Sequence, residues 1–179
     1  MKIKGIVCAL LALIICLSFI SCKDEPEAPE GYMLVSGDRA SYKFYAPVSW
    51  QINTGTSQNS VYYSTTDDSK VMITLYENSG LSKFPDIDSF WDYTADGENG
   101  LKMVFDDYTF ISSEATTLAG KNAKSYTFTV KVGELTYKIM MVIAHHGDFF
   151  YNLTYSSTPE NFDKHLDDVR GMMDYLVIV

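Results

Sequence analysis

Three histidines are the residues of this chain best suited to acid–base chemistry or to metal binding. His145 and His146 are adjacent, and Asp148 follows two residues later, so a metal site built on these side chains is one interpretation. Adjacent side chains of an extended chain point in opposite directions, however, and no His-Glu-x-x-His pattern occurs. We therefore interpret His145 and His146 as polar residues of a solvated hairpin turn, and His165 as lying at the edge of a helix's buried face.

A segment from Asp92 to Gly97 resembles the start of an EF-hand calcium loop. It carries oxygen-bearing side chains at its first, third and fifth positions, and Gly97 stands at the sixth. The twelfth position should be a bidentate glutamate but is Met103. We predict a glycine-rich helix end here, and no metal site in the chain.

Motifs of nucleophilic catalysis are missing from the sequence. Serines are plentiful, but neither a Gly-x-Ser-x-Gly elbow nor a Ser-x-x-Lys pattern occurs. Residues 97–102 lack the spacing of a phosphate-binding P-loop. A triad assembled in space around His145 or His165 would make the protein a hydrolase, the weakest of three hypotheses. We predict that the protein is not an enzyme and uses no cofactor.

Cysteine chemistry is confined to the first 22 residues. Two lysines followed by an apolar run from residue 6 to about residue 20 have the build of a secretory signal. The segment Phe19-Ile20-Ser21-Cys22 resembles the lipobox of bacterial lipoproteins, where a lipid is attached to the cysteine thiol before cleavage on its amino side. The resemblance implies a signal peptide at residues 1–21 and a lipidated Cys22 as the first residue of the mature chain.

Two other fates of the N-terminal segment stay open. A transmembrane anchor would have only about 17 residues, the short limit for crossing a bilayer. Cleavage by the ordinary signal peptidase would need an Ala-x-Ala-like site, and none precedes a plausible mature start. We favour lipidation, since two or more acyl chains on Cys22 would hold the protein at the membrane. The predicted location is the extracytoplasmic face of a bacterial envelope membrane, with the outer membrane or the cell surface as options.

Charge and composition bound the remaining chain. Without residues 1–21 it has 158 residues, with 12 Lys and Arg (Lys2 and Lys4 are lost) against 23 Asp and Glu, a net charge of −11. So acidic a chain is a poor polyanion binder, which argues against nucleic acid as a partner. Residues 22–36 contain prolines and glutamates and predict a solvated tether, whereas residues 37–179 suit one domain.

Apolar residues beyond Tyr32 mostly alternate with polar ones, as in half-buried strands. This pattern predicts strands at 41–46, 50–53, 61–66, 71–76, 108–114, 123–132, 135–144 and 149–156. Helical spacing predicts one helix from about residue 86, interrupted by Gly97 and Gly100, and a second from Pro159. The order indicates an α+β fold, an antiparallel sheet with helices packed on it.

Aromatic residues support a second functional hypothesis. Trp50, Trp91 and the 13 tyrosines could form a stacking platform for a sugar or another small ligand. The alternative is that they fill the core of the sheet, as such residues usually do. Binding through aromatics requires a solvent-open Trp or Tyr in a concavity, and burial of both tryptophans would remove its motivation.

Three stretches of this chain resemble the PsbP-like family, which shares a sandwich fold with Mog-type and DcrB-type proteins. They are an aromatic strand leading to Pro-x-x-Trp at 42–50, a Leu-x-Gly-x-x-Ala turn at 118–123, and a final strand and helix from Gly147. The resemblance implies an α/β/α sandwich and a noncatalytic domain that docks on other proteins. PsbP members are extrinsic subunits at a membrane complex, and bacterial relatives include envelope lipoproteins. The leading hypothesis is therefore a lipid-anchored, extracytoplasmic binding or scaffolding protein.

Overall fold

The computed structural model describes residues 27–37, 40–55, 59–79 and 83–179. Cys22 and the predicted signal peptide lie outside these residues. The strands before the first helix are β1 (Tyr32–Leu34), β2 (Tyr42–Lys43), β3 (Tyr45–Pro47), β4 (Gln51–Ile52), β5 (Asn59–Tyr62) and β6 (Lys70–Glu77). The elements that follow are α1 (Ile87–Asp96), α2 (Leu101–Val104), β7 (Asp106–Leu118), β8 (Lys121–Val132), β9 (Leu135–His146), β10 (Phe149–Ser157), α3 (Pro159–Phe162), a 3₁₀ turn (Asp163–His165), α4 (Leu166–Tyr175) and β11 (Val177–Ile178). Within the described ranges, no helix has the length and apolarity needed to cross a membrane.

One antiparallel sheet of seven strands, in the order β4-β5-β6-β10-β9-β8-β7, forms the centre of the fold. The strands β7 to β10 follow one another as a meander joined by two-residue turns. Each turn contains a glycine with a left-handed backbone, at Gly120 (φ 67°), Gly133 (φ 63°) and Gly147 (φ 60°). Tight hairpins require this conformation, which other residues adopt only with strain.

Helices cover both faces of this sheet. On one face α1 packs Phe90 and Trp91 against Tyr126, Phe128 and Phe150 of the sheet. On the other face lie α3, α4 and the short strands β1 to β3. The predicted antiparallel α+β fold, with helices on both sides of the sheet, is confirmed.

The second face has the larger apolar cluster, and the C-terminal helical region closes it. Phe162, Val169 and Met172 are buried against strand residues such as Leu153 and Tyr155. The Tyr155 hydroxyl donates to the Phe162 carbonyl at 2.8 Å. Burial raises the pKa of Tyr155 to about 12, so the hydroxyl stays protonated and can donate. The single helix predicted from Pro159 is broken by the 3₁₀ turn. Its helical spacing predicts an apolar stripe of Phe162, Leu166, Val169, Met173 and Leu176, and all five pack in the core, with Leu166 only partly buried.

The segment 41–46, predicted as one strand, is two strands divided at Phe44. β2 pairs with β11 near the C-terminus, and β3 pairs with β1. The Phe44 carbonyl accepts from the Val35 amide at 2.8 Å, and the Phe44 amide donates to Ser36 Oγ at 3.1 Å. Phe44 is fully buried, as the alternation predicts. The change of pairing partner therefore divides the strand while Tyr42, Phe44 and Ala46 stay in one core cluster, and Tyr45 is buried as well.

Strand β1 begins inside the stretch predicted as a tether. Tyr32 to Leu34 pair with β3, and Val35 and Ser36 are buried. The Tyr32 hydroxyl lies against Gly171 of α4, where the Cβ of any other residue would collide with it. The Tyr32 ring also meets the Tyr175 ring edge-on, with the centroids 4.7 Å apart. From Tyr32 onwards the chain is attached to the face of the sheet that carries α4.

Candidate functional site

An exposed aromatic groove lies between β6, α1 and α2, and we call it the aromatic groove. Its volume is about 330 Å³, and its apolar lining comprises Tyr76, Phe90, Tyr93, Leu101, Val104 and Phe105. Tyr76 is 46% exposed, Tyr93 62% and Val104 63%, whereas Phe90 is buried. The groove therefore presents large apolar side chains to solvent above a closed aromatic base. Apolar concavities of this size, with a few polar groups at the rim, are typical of binding sites.

The aromatic base is built by ring contacts between α1, β6, β10 and the stretch before α1. Phe90 stacks face to face on Phe150 of β10, with ring centroids 4.2 Å apart and an interplanar angle of 4°. Tyr76 of β6 lies 5.2 Å from Phe90, and Phe84 lies 5.2 Å from Tyr93. Such pairs stabilise by about 0.5–1.5 kcal/mol each beyond the burial of their area. The positions of Tyr76 and Tyr93 are thus set by the core beneath them.

Asn78 holds the segment that leads into α1. Its Oδ1 accepts from the Phe84 amide at 2.8 Å, and its Nδ2 donates to the Phe84 carbonyl at 3.0 Å. Nδ2 also lies 3.3 Å from His145 Nε2, which must act as the acceptor because an amide nitrogen can only donate. Asn78 is almost completely buried. One side chain therefore ties β6, the approach to α1 and β9 together.

Two glycines shape the end of the groove where α1 turns into α2. The Gly97 amide donates to the Tyr93 carbonyl at 3.0 Å and ends α1. A Cβ at Gly97 would lie 2.5 Å from that carbonyl oxygen, and one at Gly100 would lie 2.7 Å from the Ala95 carbonyl oxygen. Only glycine allows so close a backbone approach. The predicted interruption of the helix by these glycines is confirmed.

Acidic residues begin and support α1. Asp86 caps the helix by accepting from the Ser89 amide at 2.8 Å, and this bond holds the pKa of Asp86 below its usual value. Asp88 accepts from Lys124 Nζ at 2.6 Å and from the Tyr126 hydroxyl at 2.8 Å. The bonds from Lys124 and then Tyr126 lower the pKa of Asp88, while burial and this carboxylate raise the pKa of Tyr126. The start of the helix is therefore fixed to the sheet.

His145 and His146 lie in strand β9, because the turn that follows consists only of Gly147 and Asp148. The interpretation of both histidines as turn residues was wrong. His145 is half-buried, stacked on Phe150 at 4.5 Å and bonded to Asn78, whereas His146 is exposed. Within the described ranges, no group of three or more His, Cys, Asp and Glu side chains is arranged to hold a metal ion. His145 thus supports the groove from below.

His165 is a buried residue of the opposite face. Its ring lies 4.1 Å from that of Tyr63 and 5.5 Å from that of Trp50, between centroids. Its Nε2 is 3.3 Å from Asp67 Oδ2. Burial raises the pKa of Asp67, but hydrogen bonds from Ser69 and His165 outweigh burial and lower it overall. The pair has the residue types that a hydrolase would use, but His165 is packed between aromatic rings.

Both tryptophans fill the core. Trp50 is 2% exposed and donates its Nε1–H to Asp168 at 2.8 Å. Trp91 is 7% exposed and stacks on Tyr126 with centroids 4.0 Å apart. Burial of both tryptophans removes the motivation that they gave to a sugar platform. Tyr76 and Tyr93 do line a concavity, which is the other feature that this hypothesis requires.

The segment that resembles a calcium loop, Asp92 to Gly97, forms the end of a helix. Asp92 and Asp96 belong to α1, and Gly97 is its C-cap. The Asp96 carboxylate pairs with Lys102, which raises the pKa of that lysine. The side chains of Asp96 and Lys102 therefore close the turn between α1 and α2. The sequence-based interpretation of a glycine-rich helix end is confirmed.

Sequence reasoning did not single out Tyr76 or Tyr93. Tyr93 falls outside the helical stripe that marks the buried face of α1, and Tyr76 ends an ordinary alternating strand. A large aromatic residue on the polar side of an amphipathic helix was the available signal, because exposed aromatics often belong to binding surfaces.

Solved structures match this fold over most of the chain, although no family model and no curated protein matches the sequence. The solution structure of CyanoP, the cyanobacterial PsbP of Synechocystis sp. PCC 6803, covers 90% of this chain and 99% of its own at 13% identity, with a TM-score of 0.60. The chain has a PsbP-like α+β fold. The Ran-binding protein Mog1p of Saccharomyces cerevisiae covers 83% of this chain and 95% of its own at 9% identity, with a TM-score of 0.55.

A third match is PA94, a Pseudomonas aeruginosa protein of unknown function. It covers 82% of this chain and 96% of its own at 16% identity, with a TM-score of 0.54. The resemblance to the PsbP-like family is confirmed for the fold. At such identities the likeness concerns the fold alone.

Proposed function

We propose that the protein is a lipid-anchored, extracytoplasmic binding or scaffolding protein of a bacterial envelope, without catalytic activity. Its binding surface is the aromatic groove, and this exposed apolar concavity is the observation that carries the proposal. Tyr93 and Val104 expose apolar area to water, which is unfavourable, and they add little to the buried core. Such exposed apolar patches commonly mark binding surfaces, so we infer that a partner covers them. The Ran-binding activity of Mog1p shows that a similar fold can serve protein binding.

The anchor in this proposal is Cys22. The thiol follows a positively charged and apolar signal and is followed by an acidic stretch containing prolines. Each buried methylene of an attached acyl chain contributes about 0.8 kcal/mol to membrane binding, so two or more chains hold a protein stably. The acidic domain would be repelled by anionic lipid headgroups, which leaves the lipid as the source of membrane affinity.

Replacing Cys22 by serine is expected to abolish lipidation, because a hydroxyl does not accept the lipid that the thiol accepts. Incorporation of labelled palmitate should fall to background, and the mature membrane-bound form should disappear from the membrane fraction. Cys16→Ser is the control. It makes the same replacement of sulfur by oxygen at another cysteine of the predicted signal, and should alter neither palmitate labelling nor membrane fractionation. Unchanged membrane fractionation and unchanged labelling of the Cys22→Ser protein would contradict the anchor.

Binding at the groove is tested by photo-cross-linking in intact cells. A photoreactive amino acid at position 93 or 104 is expected to give a discrete adduct with a protein partner, since both side chains are exposed in the groove. The same amino acid at position 175, which is exposed on the opposite face, should not give that adduct. Adducts of equal size and yield from all three positions, or none from the groove, would contradict a protein partner there.

A second candidate function is binding of a small ligand or glycan in the same groove. It is favoured by the volume of about 330 Å³ and by the two exposed tyrosines, Tyr76 and Tyr93, which offer ring faces for stacking. Two results together would favour this candidate over the first. The groove would give no protein adduct in cells, and the NMR signals of its tyrosines would shift when neutral oligosaccharides are added.

A further inference from the structure

We propose that the aromatic groove binds an extended segment of a partner protein in which an apolar or aromatic side chain is flanked by lysine or arginine. This inference rests on the proposed function, since it names the chemistry of the partner at the same site. A volume of about 330 Å³ accommodates one or two side chains, so the groove suits an anchor residue of a peptide segment.

The segment that surrounds the groove is strongly acidic, which favours a basic partner. Residues 86–107, which supply α1, α2 and most of the groove lining, contain seven acidic residues and one basic residue, a net charge of −6. Residues 159–179, which form the helical layer on the opposite face, carry five acidic and two basic residues, a net charge of −3. The segment that supplies most of the groove lining is therefore more acidic than the helical layer on the opposite face.

Two of these acidic residues are sequence neighbours of residues that line the groove. Asp92 precedes Tyr93, and Glu98 precedes Asn99. These two acids make no ion pair within the described part of the chain. They are also exposed, so they are available to cations of a partner.

Three lysines close to α1 and α2 are engaged in ion pairs. Lys83 pairs with Asp148 at 3.3 Å, Lys102 pairs with Asp96, and Lys124 pairs with Asp88 at 2.6 Å. Their charges are therefore compensated within the molecule. An approaching anionic segment would meet the unpaired carboxylates, whereas a cationic one would gain from them.

Both parts of such a segment have a match in the groove. The anchor side chain would pack against Tyr76, Tyr93 and Val104, and the burial of apolar area on both sides would stabilise the complex. Flanking lysine or arginine would be attracted by the carboxylates and by the faces of the two tyrosine rings. Because these charges are exposed, the electrostatic part should be screened by salt, while the apolar part persists.

Peptide binding to the full chain, purified in detergent, tests the inference. The probes are three labelled synthetic peptides with the same Leu-Trp centre, flanked by lysine and arginine, by serine, or by glutamate. Fluorescence anisotropy at low salt is expected to show affinity at least about tenfold higher for the basic peptide than for the acidic one. The difference should shrink strongly in high salt.

Two pairs of variants locate the site. Asp92→Asn combined with Glu98→Gln should weaken the basic peptide several-fold and leave the serine-flanked peptide unchanged. Glu160→Gln combined with Asp174→Asn removes the same charge from exposed positions of the opposite layer and should change neither affinity. Tyr93→Ala should weaken the basic and the serine-flanked peptides alike, since it removes the wall of the groove.

Equal affinity for the three peptides, no binding of any of them, or equal loss in both charge variants would overturn the basic-segment inference. None of these results decides the proposed function, which is judged by the cross-links from positions 93 and 104. If cross-links formed in cells but the three peptides bound equally or not at all, the groove would still be a binding site, and its partner would not be a basic segment.

Discussion

Replacing Trp91 by alanine is expected to lower the free energy of unfolding by about 3–5 kcal/mol, the usual cost of truncating a large buried aromatic residue. Trp91 is 7% exposed, stacks on Tyr126 at 4.0 Å and lies 5.8 Å from Phe128, between ring centroids. Its removal would leave a cavity between α1 and the sheet. Chemical denaturation followed by far-ultraviolet circular dichroism measures the loss.

Tyr93→Ala is the matched control for Trp91→Ala. The two positions lie two residues apart on α1, and both changes delete a large aromatic side chain. Tyr93 is 62% exposed, so its loss should cost less than about 1 kcal/mol, partly because alanine favours the helix. Equal destabilisation by the two changes would show that α1 does not pack on the sheet as described.

Asn78→Ala is expected to cost about 2–3 kcal/mol and to impair the aromatic groove as well. The change removes both hydrogen bonds to the Phe84 backbone and the contact with His145. Groups that lose their partner where water has limited access carry a penalty of about 1–3 kcal/mol. Without this tie the approach to α1 loses its fixed position, and Phe84 no longer supports Tyr93. Denaturation and the affinity of the basic peptide measure the two effects.

Asn53→Ala controls for the loss of an asparagine. Asn53 Oδ1 accepts one exposed hydrogen bond, from the Gly55 amide at 3.1 Å. Its replacement should cost well under 1 kcal/mol, because water can replace that partner. If Asn78→Ala were as mild as Asn53→Ala, the bonds of Asn78 would not be holding the segment before α1.

Local pattern predicted much of the architecture. Alternation over 123–132 identified a strand whose Tyr126, Phe128 and Val130 are buried together. Gly97 and Gly100 marked the end of α1, since their effect on the backbone is local. The division at Phe44 could not be predicted, because it depends on β11, which lies more than 130 residues away. Pairing partners so distant leave no periodic signal.

The candidate site escaped prediction for a similar reason. Tyr76 belongs to β6 and Tyr93 to α1, and their rings border one groove only after the sheet and Asn78 have positioned both elements. His145 looked like a turn residue because the pattern did not show that β9 continues to His146. Its partner Asn78 lies 67 positions earlier in the chain.

The attachment of Tyr32 over Gly171 has a consequence for the direction in which the protein is displayed. The chain leaves the domain beside α4, whereas the aromatic groove opens on the other side of the sheet. If the protein is held by residues that precede Tyr32, its point of attachment and its groove therefore lie on opposite faces of the sheet. Membrane and partner would not compete for one surface. In the lipid-anchored protein proposed above, a partner would therefore reach the groove on the face of the sheet that lies away from the attachment.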